Sequence, residues 1–277
     1  MNQDVKQLDS MVPTLSLYSL CTIALWLPGI PPSAELCAQV PGVPLLAAPA
    51  KTEPHPVSVE RLRRYARTIT VTVWVDDRWS SGILVHRQGQ TYTVITNQHV
   101  VAVGKRYQVV LADGQRYGAD LRPSPNQEKN DLAVLEFQSP NVAYPVARFA
   151  PSLSLVPGVP VFAAGFPIAQ ASANQPQFRF TSGQVSLISD RVLQGGYQIG
   201  YTNPIQKGMS GGPVLNRWGQ VIAINGMHAY PLWGDPYIFI DGSKPKPAEY
   251  QVMQQSSWAI PAERFLQYIP TAHKVKR

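Results

Sequence analysis

Gly208-Met209-Ser210-Gly211-Gly212-Pro213 is the stretch on which the reading of this chain turns. Glycines on either side of a serine allow the backbone to turn tightly around it. Two other segments precede it: Thr96-Asn97-Gln98-His99-Val100 closes one apolar run, and Asn130-Asp131-Leu132-Ala133-Val134-Leu135 opens another. Each has a plain reading by itself. Glycine around serine is usually a turn, a histidine at a strand end is commonly structural, and an aspartate before a strand is commonly a turn or cap. In the order His, Asp, Ser they describe a single chemistry.

A serine hydroxyl is a poor nucleophile until a neighbouring base takes its proton, so Ser210 needs an imidazole within hydrogen-bond reach. His99 supplies one, and Asp131 would hold the other ring N–H, fixing the tautomer and stabilising the imidazolium that forms. The run Gly208, Met209, Ser210 is the candidate oxyanion hole, with the N–H groups of Gly208 and Ser210 aimed at one spot. A single donor of that kind contributes roughly 2.7–4 kcal/mol in the transition state.

The rest of the chain reads as strands. Ser58 is positioned to cap a short helix over Val59–Arg67. Strand-like runs follow at Ile69–Val75, Gly82–His86, Thr91–Thr96 and Tyr107–Leu111, then, across an Asp113-Gly114 hairpin signal, Arg116–Leu121 and Leu132–Phe137. A second set spans Pro160–Ala164, Gln177–Ile188, Gly196–Tyr201, Pro213–Asn216, Gln220–Met227 and Ser256–Ile260, with a terminal helix over Pro261–Tyr268.

These segments together resemble the trypsin-like serine peptidases, and within them the bacterial HtrA/Deg-type protease domain. The resemblance runs from about Arg67 to about Leu266. It rests on Ser81-Gly82-Ile83-Leu84-Val85, the TNxHV-like segment at Thr96, Asp131-Leu132-Ala133-Val134-Leu135, Ala164-Gly165-Phe166-Pro167, Thr181-Ser182-Gly183-Gln184-Val185-Ser186, the serine segment and Ser257-Trp258-Ala259-Ile260-Pro261. It implies an all-β, chymotrypsin-like fold of two packed six-stranded antiparallel Greek-key barrels with short N-terminal and C-terminal helices. The first barrel would span about 67–150 and the second about 155–270, with His99 and Asp131 from the first meeting Ser210 from the second.

The same resemblance implies a serine endopeptidase acting through an acyl-enzyme on unfolded or extended polypeptide. In the family the residue six before the nucleophile lies at the base of the side-chain pocket; here it is Pro204, followed by Ile205. No carboxylate stands there, which points to small or medium apolar residues before the cut, although Asp235 or Asp241 could approach from a loop. Ile224-Asn225-Gly226 resembles the edge strand that pairs with substrate backbone. Met209 stands where the digestive enzymes carry the aspartate of their zymogen switch, so activation by that cut is not implied. Eleven residues follow Leu266, with no PDZ pattern among them. The alternative reading is a catalytically silent barrel that binds proteins.

Composition agrees with a globular domain: of 277 residues 44% are hydrophobic and 15% charged. The net charge of +7 is spread along the chain, and its densest cluster, Arg61, Arg63, Arg64 and Arg67, reads as a solvated helix face. No nucleic-acid motif accompanies it. The five histidines show no metal-ligand spacing and no phosphate loop occurs, so neither a metal nor a cofactor is expected.

Residues 1–38 hold an uncharged apolar run, Thr14–Ile30, followed by small residues, which reads as a signal peptide or an N-terminal anchor. Both cysteines, Cys21 and Cys37, lie there. Export to a periplasm, thylakoid lumen or the medium follows, with a Pro/Ala-rich linker over 39–57 and the protease domain over 58–277. The stretch between Met227 and Ser256 carries Tyr230, Trp233, Tyr237, Phe239 and Tyr250 among four prolines and is long for a connection in this family. It reads either as a flap beside the pocket or as packing over the second barrel.

Overall fold

The computed structural model of the chain describes residues 56–102, 104–123, 129–152, 155–170, 175–230 and 234–269. The expected leader, residues 1–38, and all of the 39–57 linker except its last two residues lie outside them. Among the described residues no helix is long and apolar enough to cross a membrane.

Helix α1 (Val59–Ile69) begins at Ser58, whose Oγ accepts the N–H of Arg61 at 3.4 Å. Its buried residues Leu62, Ala66 and Ile69 fall four and three apart, which places them on one face. Arg61, Arg63 and Arg64 are solvated as expected, but Arg67 is not: its guanidinium lies over the rings of Phe166 and Phe178 at 5.3 and 5.5 Å.

Six strands follow: β1 (Thr70–Val75), β2 (Arg78–Gln88), β3 (Thr91–Thr96), β4 (Tyr107–Val110), β5 (Arg116–Arg122) and β6 (Ala133–Gln138). They close antiparallel in the order β1-β2-β3-β6-β5-β4. Alternation sends Val71, Val73, Val94, Leu135 and Phe137 inward to fill this barrel. A one-turn helix, α2 (Gln98–Val101), follows β3 and carries His99.

The second barrel repeats the plan with β7 (Pro160–Gly165), β8 (Arg179–Ile188), β9 (Ile199–Tyr201), β10 (Pro213–Leu215), β11 (Val221–Met227) and β12 (Ser257–Pro261). Their order is β10-β11-β12-β9-β8-β7, again closed and antiparallel. Val161, Ala163, Val185, Tyr201, Val214 and Ala223 fill it. A third cluster joins the barrels: Ile83, Ile95 and Val134 of the first meet Phe162, Leu215, Ile224 and Ile260 of the second, because their alternating positions point outward.

Strand β9 is shorter than expected, since Gly195 and Gly196 form a turn with φ of 80° and 87°. Helix α3 (Pro247–Gln254) was not signalled by the sequence, where its first residue stood as one of four prolines in the connection after β11. Pro247 occupies the helix start, where a missing N–H costs nothing. Helix α4 (Ala262–Leu266) ends the described fold. In the connection after β11, Tyr237 and Phe239 are each 1% exposed and belong to the core, so packing, not a free flap, accounts for them. Tyr230 is exposed.

Candidate active site

Helix α2 places His99 opposite Asp131, the residue two before β6. The carboxylate engages His99 twice: Oδ1 accepts its backbone N–H at 2.8 Å, and Oδ2 lies 2.6 Å from Nδ1. Asn97 donates through Nδ2 to the carbonyl of Asp131 at 2.8 Å, and the N–H of Asp131 donates to the carbonyl of Gly195 at 2.8 Å. The phenol of Tyr197 also donates to Oδ2. Burial pushes Asp131 upward, yet the ring hydrogen bond and charge of His99, the Tyr197 hydroxyl and the His99 backbone N–H together hold it below the usual carboxylate range. The side chain of His99 is 49% exposed while that of Asp131 is 15% exposed, so the imidazole is reachable and its partner shielded. With Nδ1 engaged, Nε2 is the ring nitrogen left to face a reacting group.

Ser210 lies on the turn between β9 and β10, and β2 of the other barrel clasps that turn. Ser81 donates its N–H to the carbonyl of Ser210 at 3.0 Å, and Ser80 donates Oγ to the same carbonyl at 2.8 Å. The Oγ of Ser81 donates to the carbonyl of Gly208 at 2.8 Å and accepts the N–H of Phe166 at 2.8 Å. Gly208 has φ of 96°, and a Cβ there would stand 2.5 Å from the carbonyl oxygen of Phe166.

The oxyanion run of Gly208, Met209 and Ser210 needs one correction. Met209 donates its N–H to the carbonyl of Gln206 at 2.9 Å, and its side chain is buried in the second barrel, so it offers the cavity nothing. Among the described residues no backbone carbonyl takes the N–H of Gly208 or of Ser210.

Two cavities flank the serine. One of ≈ 480 Å³ is lined by His99, Asp131, Tyr197, Lys207, Ser210, Gly226, Met227 and His228. The other, ≈ 440 Å³, includes Arg78, Trp79, Ser80, Ile168 and Gly208. His99, Lys207 and Ser210 belong to both.

The expected substrate-binding residues fare unevenly. Gly226 lines the first cavity, whereas Pro204, Ile205, Ile224 and Asn225 line neither. Pro204 is exposed elsewhere, and Ile205 is packed into the second barrel. Ile224 points into the joint between barrels. The backbone of Asn225 is consumed by the serine turn, its N–H donating to Gly212 at 2.8 Å and its carbonyl accepting from Gly211 at 2.9 Å. Its buried side chain donates to the carbonyl of Ala164 at 2.9 Å and accepts from the Tyr201 hydroxyl at 2.8 Å. The offset of six residues falls on an exposed proline, Pro204, followed by a core isoleucine, Ile205. Asp235 is paired with Lys244 at 3.2 Å and Asp241 with Arg191 at 2.7 Å, and neither reaches these cavities.

Sequence reasoning missed Tyr197 altogether. Ser81 stood in the sequence only as part of a strand motif, with no sign of its supporting role. A tyrosine in a turn and a serine in a strand carry no local signal of what they touch. Among the described residues no three His, Cys, Asp or Glu side chains are grouped to hold a metal ion.

A trypsin-like peptidase domain model matches residues 80–224. The chain is 35% identical over 148 residues to the serine protease Do-like HtrA of Lactococcus lactis subsp. lactis, covering 52% of this chain and 36% of that protein. It is 34% identical over 150 residues to the serine protease Do-like HtrB of Bacillus subtilis, covering 53% and 32%. The chain thus matches about a third of the length of these curated relatives. A solved structure of the HtrA-type protease AlgW with a tripeptide superposes with a TM-score of 0.58 at 22% identity, over 76% of this chain and 62% of that one, a likeness of fold.

Proposed function

The chain belongs to the trypsin-like peptidase family, and we propose that it is a serine endopeptidase using Ser210, His99 and Asp131. The observation that carries this reading is the pair of contacts between His99 and Asp131, with Nδ1 at 2.6 Å from Oδ2, in a cavity whose wall includes Ser210. The Oγ of Ser210 turns from the Gly226 carbonyl, gives its proton to Nε2 of His99 and bonds to the carbonyl carbon of the substrate. The carbonyl oxygen takes the electron pair and is held by the N–H groups of Gly208 and Ser210. Collapse breaks the C–N bond, and His99 passes its proton to the departing amine, leaving an ester on Ser210. Water then attacks that ester carbon as His99 takes its proton; the bond from the carbon to Ser210 Oγ breaks, His99 returns the proton to Oγ, and the new carboxyl end leaves.

The substrate is a polypeptide segment in extended conformation, laid across the two cavities on either side of Ser210. Tyr197, Met227 and Gly226 make the first cavity largely apolar, which supports small or medium apolar side chains before the cut. The protease domain corresponds to residues 58–277 and is exported behind the apolar segment Thr14–Ile30.

A fluorophosphonate probe tests the reading. Covalent labelling of Ser210, lost in Ser210→Ala, is the expected result. A folded protein that the probe leaves unlabelled would instead be a silent, protein-binding barrel.

A further inference from the structure

Asp131 is gripped from both barrels. His99 comes from the first, but Oδ2 also accepts the phenol of Tyr197, which stands in the turn before β9 of the second. The same turn accepts the N–H of Asp131 at the carbonyl of Gly195. An ionised carboxylate can only accept, so the phenol is the donor. Burial, followed by the charge and hydrogen bond of Asp131, pushes the Tyr197 hydroxyl well above its usual range, which keeps its proton in place.

The ring has little freedom. It runs under β11 at Gly226, where an added Cβ would come within 2.2 Å of Tyr197 Cε1. The turn itself is backed from outside: Gln194 donates to the carbonyl of Ile238 at 2.8 Å, Ile240 donates to the carbonyl of Val192 at 2.9 Å, and Arg191 stacks 3.8 Å from the centre of the Phe239 ring. The connection after β11 therefore braces the turn that reaches Asp131.

We infer that Tyr197 is a positioning residue for the triad, fixing the rotamer of Asp131 and sharing the charge of the oxygen that holds His99. The inference rests on the serine endopeptidase reading above. The titratable groups facing Asp131 are His99 on α2 and Tyr197 before β9, and Lys207 before β10 and His228 after β11 line the same cavity. Of these, Tyr197 is the neutral donor on Oδ2. Taking it away leaves more charge on that oxygen for the imidazolium, so the acid limb of the activity profile moves to higher pH. A stronger phenol donor moves it the other way.

The test is Tyr197→Phe, which keeps the ring against Gly226 and removes only the hydroxyl. With a peptide substrate, kcat is expected to fall about 10- to 100-fold, the range a hydrogen bond to a charged group supports, with KM nearly unchanged. The acid limb of kcat/KM should rise. In an Asp131→Asn background the same substitution should change the fluorophosphonate labelling rate far less, since Tyr197 acts through Asp131. Should Tyr197→Phe fail to fold, site-specific 3-fluorotyrosine at 197 preserves the shape with a stronger donor, and its acid limb should fall. Wild-type kcat, an unmoved acid limb in either variant, or an equal effect in the Asp131→Asn background would overturn the inference while wild-type labelling of Ser210 leaves the endopeptidase reading standing. An unlabelled wild-type Ser210 overturns both.

Discussion

The hydroxyl of Ser210 donates to the carbonyl oxygen of Gly226 at 3.1 Å, so the resting nucleophile is held by the strand edge that borders the first cavity. Under the proposed mechanism, a substrate backbone pairing along that edge would compete for the same carbonyl and release the hydroxyl toward His99. Loose or misdirected catalytic hydrogen bonds are common without substrate and tighten when it binds.

Ser210→Ala, His99→Ala and Asp131→Asn should each lower peptide hydrolysis by about 10⁴ or more without unfolding the protein, because the three act as a unit. Turnover should also fall toward acid, where a protonated His99 cannot accept the serine proton. Steady-state kinetics on the three variants and a pH profile of the wild type check this; near-normal turnover by Ser210→Ala refutes the assignment.

Gly208→Ala should damage both activity and stability. Its φ of 96° disfavours a side chain, and the new Cβ would meet the Phe166 carbonyl at 2.5 Å. Left-handed strain of this kind costs about 1–3 kcal/mol, before the clash is counted. A melting temperature equal to wild type would show that the turn is softer than this contact implies.

Cleavage after Lys or Arg should be weak. The two acidic side chains that a loop could have brought to the pocket are committed elsewhere, Asp235 to Lys244 and Asp241 to Arg191. Profiling on a peptide library reads this directly, and a dominant Lys or Arg signal before the cut would contradict it.

Asp241 should contribute stability that acid removes. The side chain and backbone N–H of Ser243, then Arg191, hold its carboxyl at about 2 against an ordinary 3.8. A depressed folded pKa stabilises above the unfolded value and is lost as pH falls through the folded one, here from about 4 down to about 2. Asp241→Asn should flatten the pH dependence of the urea midpoint in that window; an unchanged slope would remove Asp241 from the account.

Much of this protein was legible as pattern. Glycines around Ser210, His99 at a strand end and Asp131 ahead of β6 are local signals, because the proposed roles of nucleophile, base and orienting carboxylate each demand a residue type and a backbone setting. Alternating apolar residues marked most strands, since a strand inside a closed barrel must bury every second side chain. What the sequence could not carry is which side chains meet across distance. Tyr197 reaches Asp131 over 66 positions, and Ser81 reaches Gly208 over 127. Nothing near Tyr197 or Ser81 in the chain announces either contact. Ile205 was read as a pocket residue from its offset to Ser210 and Asn225 from a resemblance to a substrate-pairing edge strand, yet the closing of the second barrel drew Ile205 into the core and spent the backbone of Asn225 on the serine turn. The residue types of the site are thus written locally, while its support and the shape of its pocket exist only after the two barrels have closed and packed against each other.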